Sequence, residues 1–250
     1  MKLTDVFSKL VLEGKKTAVG RKLVTVVDAP NNLISINKQN PLTACIIAEG
    51  AEYPSDDNDD TSVSVSTYKL GLTVKIPVEW MEDNEYEFIK RKIEAGVRAV
   101  YRMEDKLIFD ELISQAGNTV IQGPTYEEFI FIEDINQAIE YIEAAGYEAD
   151  RIVLNPEQAR KYRNNCDIDF DALGRRRKWA YERHVLVSDL IPDGTALVMN
   201  STDCCLLAVR RPMTRRMDNT SILDVIQYAI SERVAPIVVR SDLVCKITGL

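Results

Sequence analysis

The side chains best suited to catalysis are few and scattered along this chain of 250 residues. His184 is the only histidine, so a Cys/His or Ser/His nucleophile would depend on it alone. The sequence contains no GxSxG, GxGxxG, HExxH or Walker A motif. We therefore interpret His184 as a structural residue at a strand edge, and we predict no catalytic residue, no cofactor and no enzyme activity.

The cysteines also lack a reactive or metal-binding pattern. They are five in number, none forms a CxxC pair, and they lie at Cys45, Cys166, Cys204, Cys205 and Cys245. An odd, scattered set favours neither a disulfide framework nor a zinc site. We predict that they are reduced core residues.

A cluster of aspartates is the strongest candidate for cation binding. It lies in the stretch GAEYPSDDNDDTSVSVSTYKL, residues 50–70, and comprises Asp56, Asp57, Asp59 and Asp60. The cluster lacks the glycine and the distal glutamate of an EF-hand loop, so we predict a solubilising turn and no metal site. The alternation of valine with serine that follows is typical of a strand with one apolar side.

Charge is distributed unevenly along the sequence. The net charge of −8 argues against a molecule that binds duplex DNA over a broad face. Basic residues nevertheless cluster near the N-terminus, at Lys9, Lys15, Lys16, Arg21 and Lys22, and again at Arg175, Arg176, Arg177 and Lys178. Two interpretations stay open for both clusters: contact with phosphates, or ion pairs with acids of a neighbouring chain.

Hydropathy gives no sign of a membrane or secreted protein. No run of about 18 apolar residues occurs, and the N-terminus lacks the apolar core and cleavage site of a signal peptide. We expect neither secretion nor a membrane span.

The periodicity predicts an α+β chain. Two extended runs flank the acidic turn as a long hairpin, whose base at 72–77 is apolar enough to join a sheet. Apolar residues then recur every three to four positions over 84–114, which predicts a helix about 45 Å long. A helix–strand–helix module follows, and extended segments from 213 onward should pair with the hairpin base.

Six motifs, taken in order, carry a resemblance to a known family. They are GRKLV at 20–24, AEGAEYP at 48–54, YKLGLTVKIPVEWMED at 68–83, IVLNPEQARKYRN at 152–164, HVLVSDLIPDGTALVMN at 184–200 and ERVAPIVVRSDLVCKITGL at 232–250. Together they resemble the major capsid proteins of tailed bacteriophages. The Hong Kong phage-type fold of that family is also used by encapsulin nanocompartments.

The resemblance implies a division of the chain. It implies an N-terminal arm over 1–40, an extension loop over 41–75, a peripheral domain with a long spine helix over 76–127 and 213–250, and an axial domain over 128–212. In such a fold the extension loop reaches over an adjacent subunit, which implies inter-subunit contacts for Tyr53, Asp56, Asp57, Asp59, Asp60 and Tyr68. The cluster Arg175–Lys178 would lie near the capsomer centre.

The resemblance also implies a function. The chain is expected to be a structural subunit of an icosahedral viral capsid that encloses double-stranded DNA, assembled in the host cytoplasm. Its expected partners are further copies of itself in pentamers or hexamers, packaged double-stranded DNA, and portal, scaffolding and decoration proteins. The alternative is an encapsulin shell that encloses a cargo enzyme.

Two departures from the family pattern bear on this expectation. Some phage members join an extension-loop lysine covalently to an asparagine, but residues 49–67 contain no lysine, so we expect no such crosslink. Phage members also often carry a scaffolding segment ahead of the arm, whereas the predicted arm here starts at Met1. A separate scaffolding protein, a mature form and an encapsulin all fit this second departure.

Overall fold

The structure is a computed structural model, and it describes residues 3–38, 61–83, 85–121, 130–165, 179–180, 183–220 and 224–249. The helices are α1 Leu3–Thr17, α2 Glu79–Glu82, α3 Tyr86–Ser114, α4 Ile130–Ala144 and α5 Pro156–Asn165. The strands are β1 Thr25–Asp28, β2 Leu33–Lys38, β3 Thr61–Ser66, β4 Tyr68–Pro77, β5 Asn118–Ile121, β6 Arg151–Leu154, β7 Trp179–Ala180, β8 Arg183–Val187, β9 Thr195–Met199, β10 Cys205–Thr220, β11 Val225–Val238 and β12 Val244–Thr248. This mixture of helices and sheets confirms the α+β class. None of the described helices is long and apolar enough to cross a bilayer.

The long helix predicted from the apolar period is α3. It has 29 residues, which corresponds to about 43 Å at 1.5 Å per residue. Its buried apolar side chains recur at helical spacing and are Ile89, Ile93, Val97, Val100, Ile108, Phe109 and Leu112. Glu104 and Asp105 interrupt this apolar side with two buried carboxylates.

A four-stranded sheet with the order β1-β10-β11-β4 packs against α3. Strands β4 and β11 are antiparallel, with Leu72 opposite Ile230, which confirms that the hairpin base pairs with a C-terminal strand. A Cβ atom on Gly96 of α3 would lie 2.7 Å from Val74 Cγ2. The missing side chain therefore allows α3 to approach this face of the sheet closely.

A six-stranded sheet with the order β5-β12-β9-β6-β8-β7 forms the second layer, and α4 packs against its β5, β9 and β12. The strands that form this sheet do not follow the predicted boundary between the axial and peripheral domains. Residues 205–212 belong to β10 in the other sheet, whereas β5 and β12 pair inside this one. The difference arises because an apolar strand pattern does not specify which strand it will pair with.

Strands β2 and β3 form a two-stranded antiparallel ribbon, with Ile34 opposite Val65. The first ribbon strand therefore lies within the segment predicted as the arm. The sequence pattern predicts one apolar side for β3, and in the structure that side packs within the chain itself. Val65 packs against a small cluster on the four-stranded sheet, which is formed by Ala29, Ala208, Ala235 and Ile237. The alanines of this cluster leave room for the ribbon.

Candidate functional site

The predicted contact residues fall partly within the described structure. The acidic residues of the extension loop, with Tyr53, and the basic cluster Arg175–Lys178 lie outside the described residues. Tyr68 is the first residue of β4 and is 52% exposed. It lies opposite Val234 of β11, at the base of the ribbon.

The N-terminal helix α1 packs along α3. Phe7 and Leu10 are buried in this contact, and the Tyr101 hydroxyl donates a hydrogen bond to the Val11 carbonyl at 3.2 Å. A Cβ atom on Gly14 would lie 2.7 Å from the Tyr101 ring, so the glycine permits the close approach. The opposite side of the helix therefore faces solvent. Its exposed lysines are Lys9, Lys15 and Lys16.

Arg21 occupies a different environment from the other basic residues of the arm. Its Nε and Nη2 donate hydrogen bonds of 2.6 Å to the two oxygens of Glu104, and Nη2 lies 3.4 Å from Glu232 Oε2. Its side chain is 10% exposed and both glutamates are fully buried. Arg21 therefore fastens the arm to α3 and β11 within the subunit, whereas Lys22 is exposed.

The carboxylates around Arg21 carry perturbed acidities. Burial and the neighbouring Glu104 carboxylate raise the pKa of Glu232 to about 8, against the opposing attraction of Arg21. Burial also raises the pKa of Asp105, although the Val19 and Gly20 amides donate hydrogen bonds to it at 3.1 and 2.8 Å. This cluster joins Arg21 of the arm and Glu232 of β11 to Glu104 and Asp105 on the inner side of α3. Glu104, on the apolar period, was the one sequence signal for it.

A basic surface lies on the face of the four-stranded sheet that is turned away from α3. Lys69, Arg211 and Arg216 line a groove of about 390 Å³ there. Sequence analysis missed this surface. The alternation of Lys69, Thr73 and Lys75 along β4 was a signal for it, because alternate residues of a strand share one face.

The remaining candidate residues are His184 and the cysteines, and within the described parts of the chain they do not form a metal-binding group. No group of three or more His, Cys, Asp or Glu side chains there could hold a metal ion. His184 lies half-buried in β8, opposite Arg151 and Trp179. Cys204, Cys205 and Cys245 are buried free thiols, as predicted for core cysteines.

No protein-family model matches the chain, and no curated protein matches it in sequence. Solved structures are similar over nearly its full length. A virus-like particle from Pyrococcus furiosus has a TM-score of 0.70 at 12% identity and covers 99% of this chain and 100% of its own. A structure from Microbacterium phage Oxtober96 has a TM-score of 0.71 at 14% identity, with 92% and 90% covered.

The holo-SrpI encapsulin complex from Synechococcus elongatus PCC 7942 gives similar values. Its TM-score is 0.68 at 11% identity, with 93% of this chain and 88% of its own covered. Phage major capsid proteins and encapsulins are both among the similar structures, and they share one fold.

Proposed function

This chain has the Hong Kong phage-type fold, and from that fold we propose that it is the structural subunit of a closed icosahedral viral capsid. The observation that carries the proposal is the extent of the similarity. The similarity to structures from phage and of an encapsulin covers more than 90% of this chain. We expect the subunit to associate with further copies of itself and to have no enzyme activity.

We propose that the capsid encloses double-stranded DNA. The exposed lysines of α1 support this, since they lie together on one helix and cations of this kind neutralise phosphates without needing exact geometry. In this proposal portal, scaffolding and decoration proteins are further partners, and the shell is part of a virion assembled in the host cytoplasm. The extension loop, from Tyr53 to Asp60, contacts a neighbouring subunit, and Arg175–Lys178 lies near the capsomer centre.

An encapsulin shell is the second candidate function. The similarity to the holo-SrpI encapsulin complex, with a TM-score of 0.68, is close to that of the phage structure at 0.71. In this case the shell would enclose a cargo protein, and the α1 lysines would pair with acids of the cargo or of a neighbouring subunit.

Expression of the whole chain tests whether it forms a shell. Electron microscopy of the purified protein is expected to show closed particles of uniform size. A protein that stays monomeric over a wide range of concentration and salt would contradict the proposal.

The contents of particles isolated from the natural source separate the two candidates. Nuclease-protected double-stranded DNA of defined length supports the capsid. A single co-purifying protein at fixed stoichiometry, without protected DNA, supports the compartment and contradicts the capsid.

A further inference from the structure

Four ionisable side chains meet where the arm contacts α3 and β11. They are Arg21 of the arm, Glu104 and Asp105 of α3, and Glu232 of β11, and we call these four residues the latch. The Tyr101 ring lies beside them, with its centre 5.2 Å from the Arg21 guanidinium. Among the described residues no other cation forms an ion pair with these carboxyl groups. Three acids therefore surround one base.

The latch holds more acid than its single cation can neutralise. Glu104 and Glu232 are fully buried, and Asp105 is 7% exposed. Burial and neighbouring like charges both disfavour the ionised form of a carboxyl group. The arrangement therefore favours a proton on one of the three acids in the folded subunit.

The hydrogen bonds single out Glu232 as the group that carries this proton. Both oxygens of Glu104 accept bonds of 2.6 Å from Arg21, and both oxygens of Asp105 accept bonds from backbone amides of the arm. Glu232 has only a contact of 3.4 Å between its Oε2 and Arg21 Nη2. Its buried Oε1 has no hydrogen-bond partner among the described residues. A carboxyl group with so few donors is stabilised least in its ionised form.

A surface cleft gives water access to the edge of the latch. The cleft has a volume of about 450 Å³, and Val19, Tyr101 and Asp105 are among its lining residues. It is also lined by Arg98 and Arg102, whose side chains are 71% and 63% exposed. Protons can therefore leave and return beside the latch without unfolding of the subunit.

The part of the arm that the latch holds forms one segment, residues 3–22. After this segment, Leu23 is fully buried and β1 pairs with β10, so the chain is fixed from Leu23 onward. Within it, Phe7 and Leu10 are the large buried side chains of α1 among the described residues. A helix of 15 residues is marginal on its own in water. Helix α1 would therefore lose its structure once it left α3.

We propose that the latch is a proton-dependent switch that controls the attachment of residues 3–22 to α3. While Glu232 holds its proton, Arg21 neutralises Glu104 and the segment stays attached. When Glu232 loses the proton, a second carboxylate faces Glu104 in the same buried volume, and release of the segment lets water reach both. The inference goes beyond the proposed shell function, because the switch acts within one subunit and does not require assembly.

The switch opens as the pH rises. The attached form binds the Glu232 proton more strongly than a released form in which that carboxyl group is hydrated. Each unit of pH within the titration range therefore raises the ratio of released to attached segment by up to about tenfold. The range extends from the ordinary pKa of 4.5 to the raised pKa of about 8, so the attached form is favoured at low pH and lost as the pH rises through this range.

The other groups that face Glu232 do not reverse this direction. Arg21 stays charged, and burial raises the pKa of Tyr101 to about 12, so its hydroxyl stays neutral. Burial also raises the pKa of Asp105, and its ionisation adds negative charge in the same direction. On the neighbouring strand β4, the residue opposite Glu232 is the uncharged Leu70.

Hydrogen exchange of the wild-type chain tests the switch directly. Exchange rates are divided by those of the unfolded peptides at the same pH, which removes the intrinsic effect of hydroxide. The protection of α1 amides is expected to fall at least about tenfold between pH 6 and pH 8.5. Amides of β9 and β12 should stay at least about a hundredfold better protected than those of α1, because the release is local.

The same measurement at high salt separates the latch from the exposed lysines of α1. Interactions of exposed charges are largely screened in about 1 M salt, whereas buried pairs are screened much less. The fall in α1 protection should therefore persist at high salt. If high salt abolishes it, the exposed lysines are responsible and the proposal is overturned.

Trypsin cleavage compares variants at one pH, so the pH dependence of the protease cancels. Release of the segment exposes the backbone beside Lys9, Lys15 and Lys16 to the protease. At pH 8.5 the wild type should be cut about tenfold faster than Glu232→Gln, whose side chain stays neutral, and at pH 6 the two rates should agree within about twofold. Arg21→Gln removes the cation and should be cut rapidly at both pH values.

Glu87→Gln is the matched control, since it makes the same change at an exposed glutamate of α3. It should follow the wild type at both pH values, and circular dichroism verifies the folding of every variant. If Glu232→Gln shows the same pH dependence as the wild type, another group titrates and the proposal is wrong.

The wild-type measurement stands without any variant. Equal protection of α1 at pH 6 and pH 8.5 overturns the proposal. A parallel loss of protection in α1 and β12 by the same factor also overturns it, because the subunit would then unfold as a whole.

Discussion

The buried contact of Arg21 with two glutamates makes the stability of the subunit depend on pH. A guanidinium and two fully buried carboxylates share one small volume, and Asp105 and the Tyr101 ring lie beside them. Breaking a buried pair of this kind leaves an uncompensated charge, which typically costs about 3–5 kcal/mol. The cluster therefore holds the arm on α3 only while its charges are balanced.

Glu232→Gln tests this balance. The pKa of Glu232 is raised from 4.5 to about 8, so the folded state binds more protons than the unfolded state between these values. The free energy of unfolding should therefore fall as the pH rises through this range. We expect the wild type to lose at least about 1.4 kcal/mol more than Glu232→Gln between pH 5 and pH 8.5, the equivalent of one pKa unit.

Urea denaturation at a series of pH values measures this difference. Glu87→Gln changes an exposed glutamate of α3 and should follow the wild type. Parallel pH profiles for the wild type and Glu232→Gln would show that the cluster does not titrate in this range.

The buried cysteines should be chemically inert in the folded subunit. Burial raises the pKa of Cys205 to about 12 and that of Cys245 to about 11, and it raises the pKa of Cys204 as well. The thiolate is the reactive form, so we expect alkylation at pH 8 to be about a hundredfold slower than in denaturant. Mass spectrometry of the three peptides measures this, and labelling at the rate of a free thiol would contradict it.

The stability of the four-stranded sheet depends on the long helix α3, because the helix covers one face of that sheet. Ile93 is 1% exposed and lies on its buried side. Ile93→Ala should lower the free energy of unfolding by about 2–5 kcal/mol, since it removes buried methyl groups and leaves a cavity. Arg91→Ala, at an exposed position two residues away, should change it by less than about 0.5 kcal/mol.

Chemical denaturation of both variants measures the contrast. Equal losses would mean that α3 is held by contacts other than its apolar side. A loss confined to Ile93→Ala supports the packing seen in the structure.

The path of the whole chain determines which segments can fold separately. Strand β12, near the C-terminus, lies between β5 and β9 in the six-stranded sheet. A fragment of residues 128–212 lacks both β5 and β12, so β9 would lose one of its two neighbouring strands and the core would lose Val244, Cys245 and Ile247. We expect that fragment not to fold cooperatively.

A second fragment supplies the missing strands. The Cys204 carbonyl accepts hydrogen bonds from the Val239 and Arg240 amides at 2.9 and 3.2 Å, so a short linker can join residues 116–204 to 239–249. We expect this fragment to fold, as judged by circular dichroism and a cooperative thermal transition. Cooperative unfolding of the 128–212 fragment would contradict the prediction.

Elements whose signal is local were predictable from the amino-acid pattern alone. The apolar period specified α3 to within two residues at its start, and RIVL and TALVM specified β6 and β9, because burial of one helix side or of a whole strand leaves a periodic record in the chain. Motif order along the whole chain was enough to identify the fold.

Tertiary structure decided what depends on contacts between distant segments. Strand alternation shows that residues 205–212 are extended, but not which sheet they join, since pairing is set by packing across the sheet. Arg21 looked the same as its neighbouring lysines until the fold placed two glutamates from 83 and 211 positions away around it. The basic surface of the four-stranded sheet likewise exists only because β4, β10 and β11 bring separate cations to one surface, and no local pattern records such a meeting.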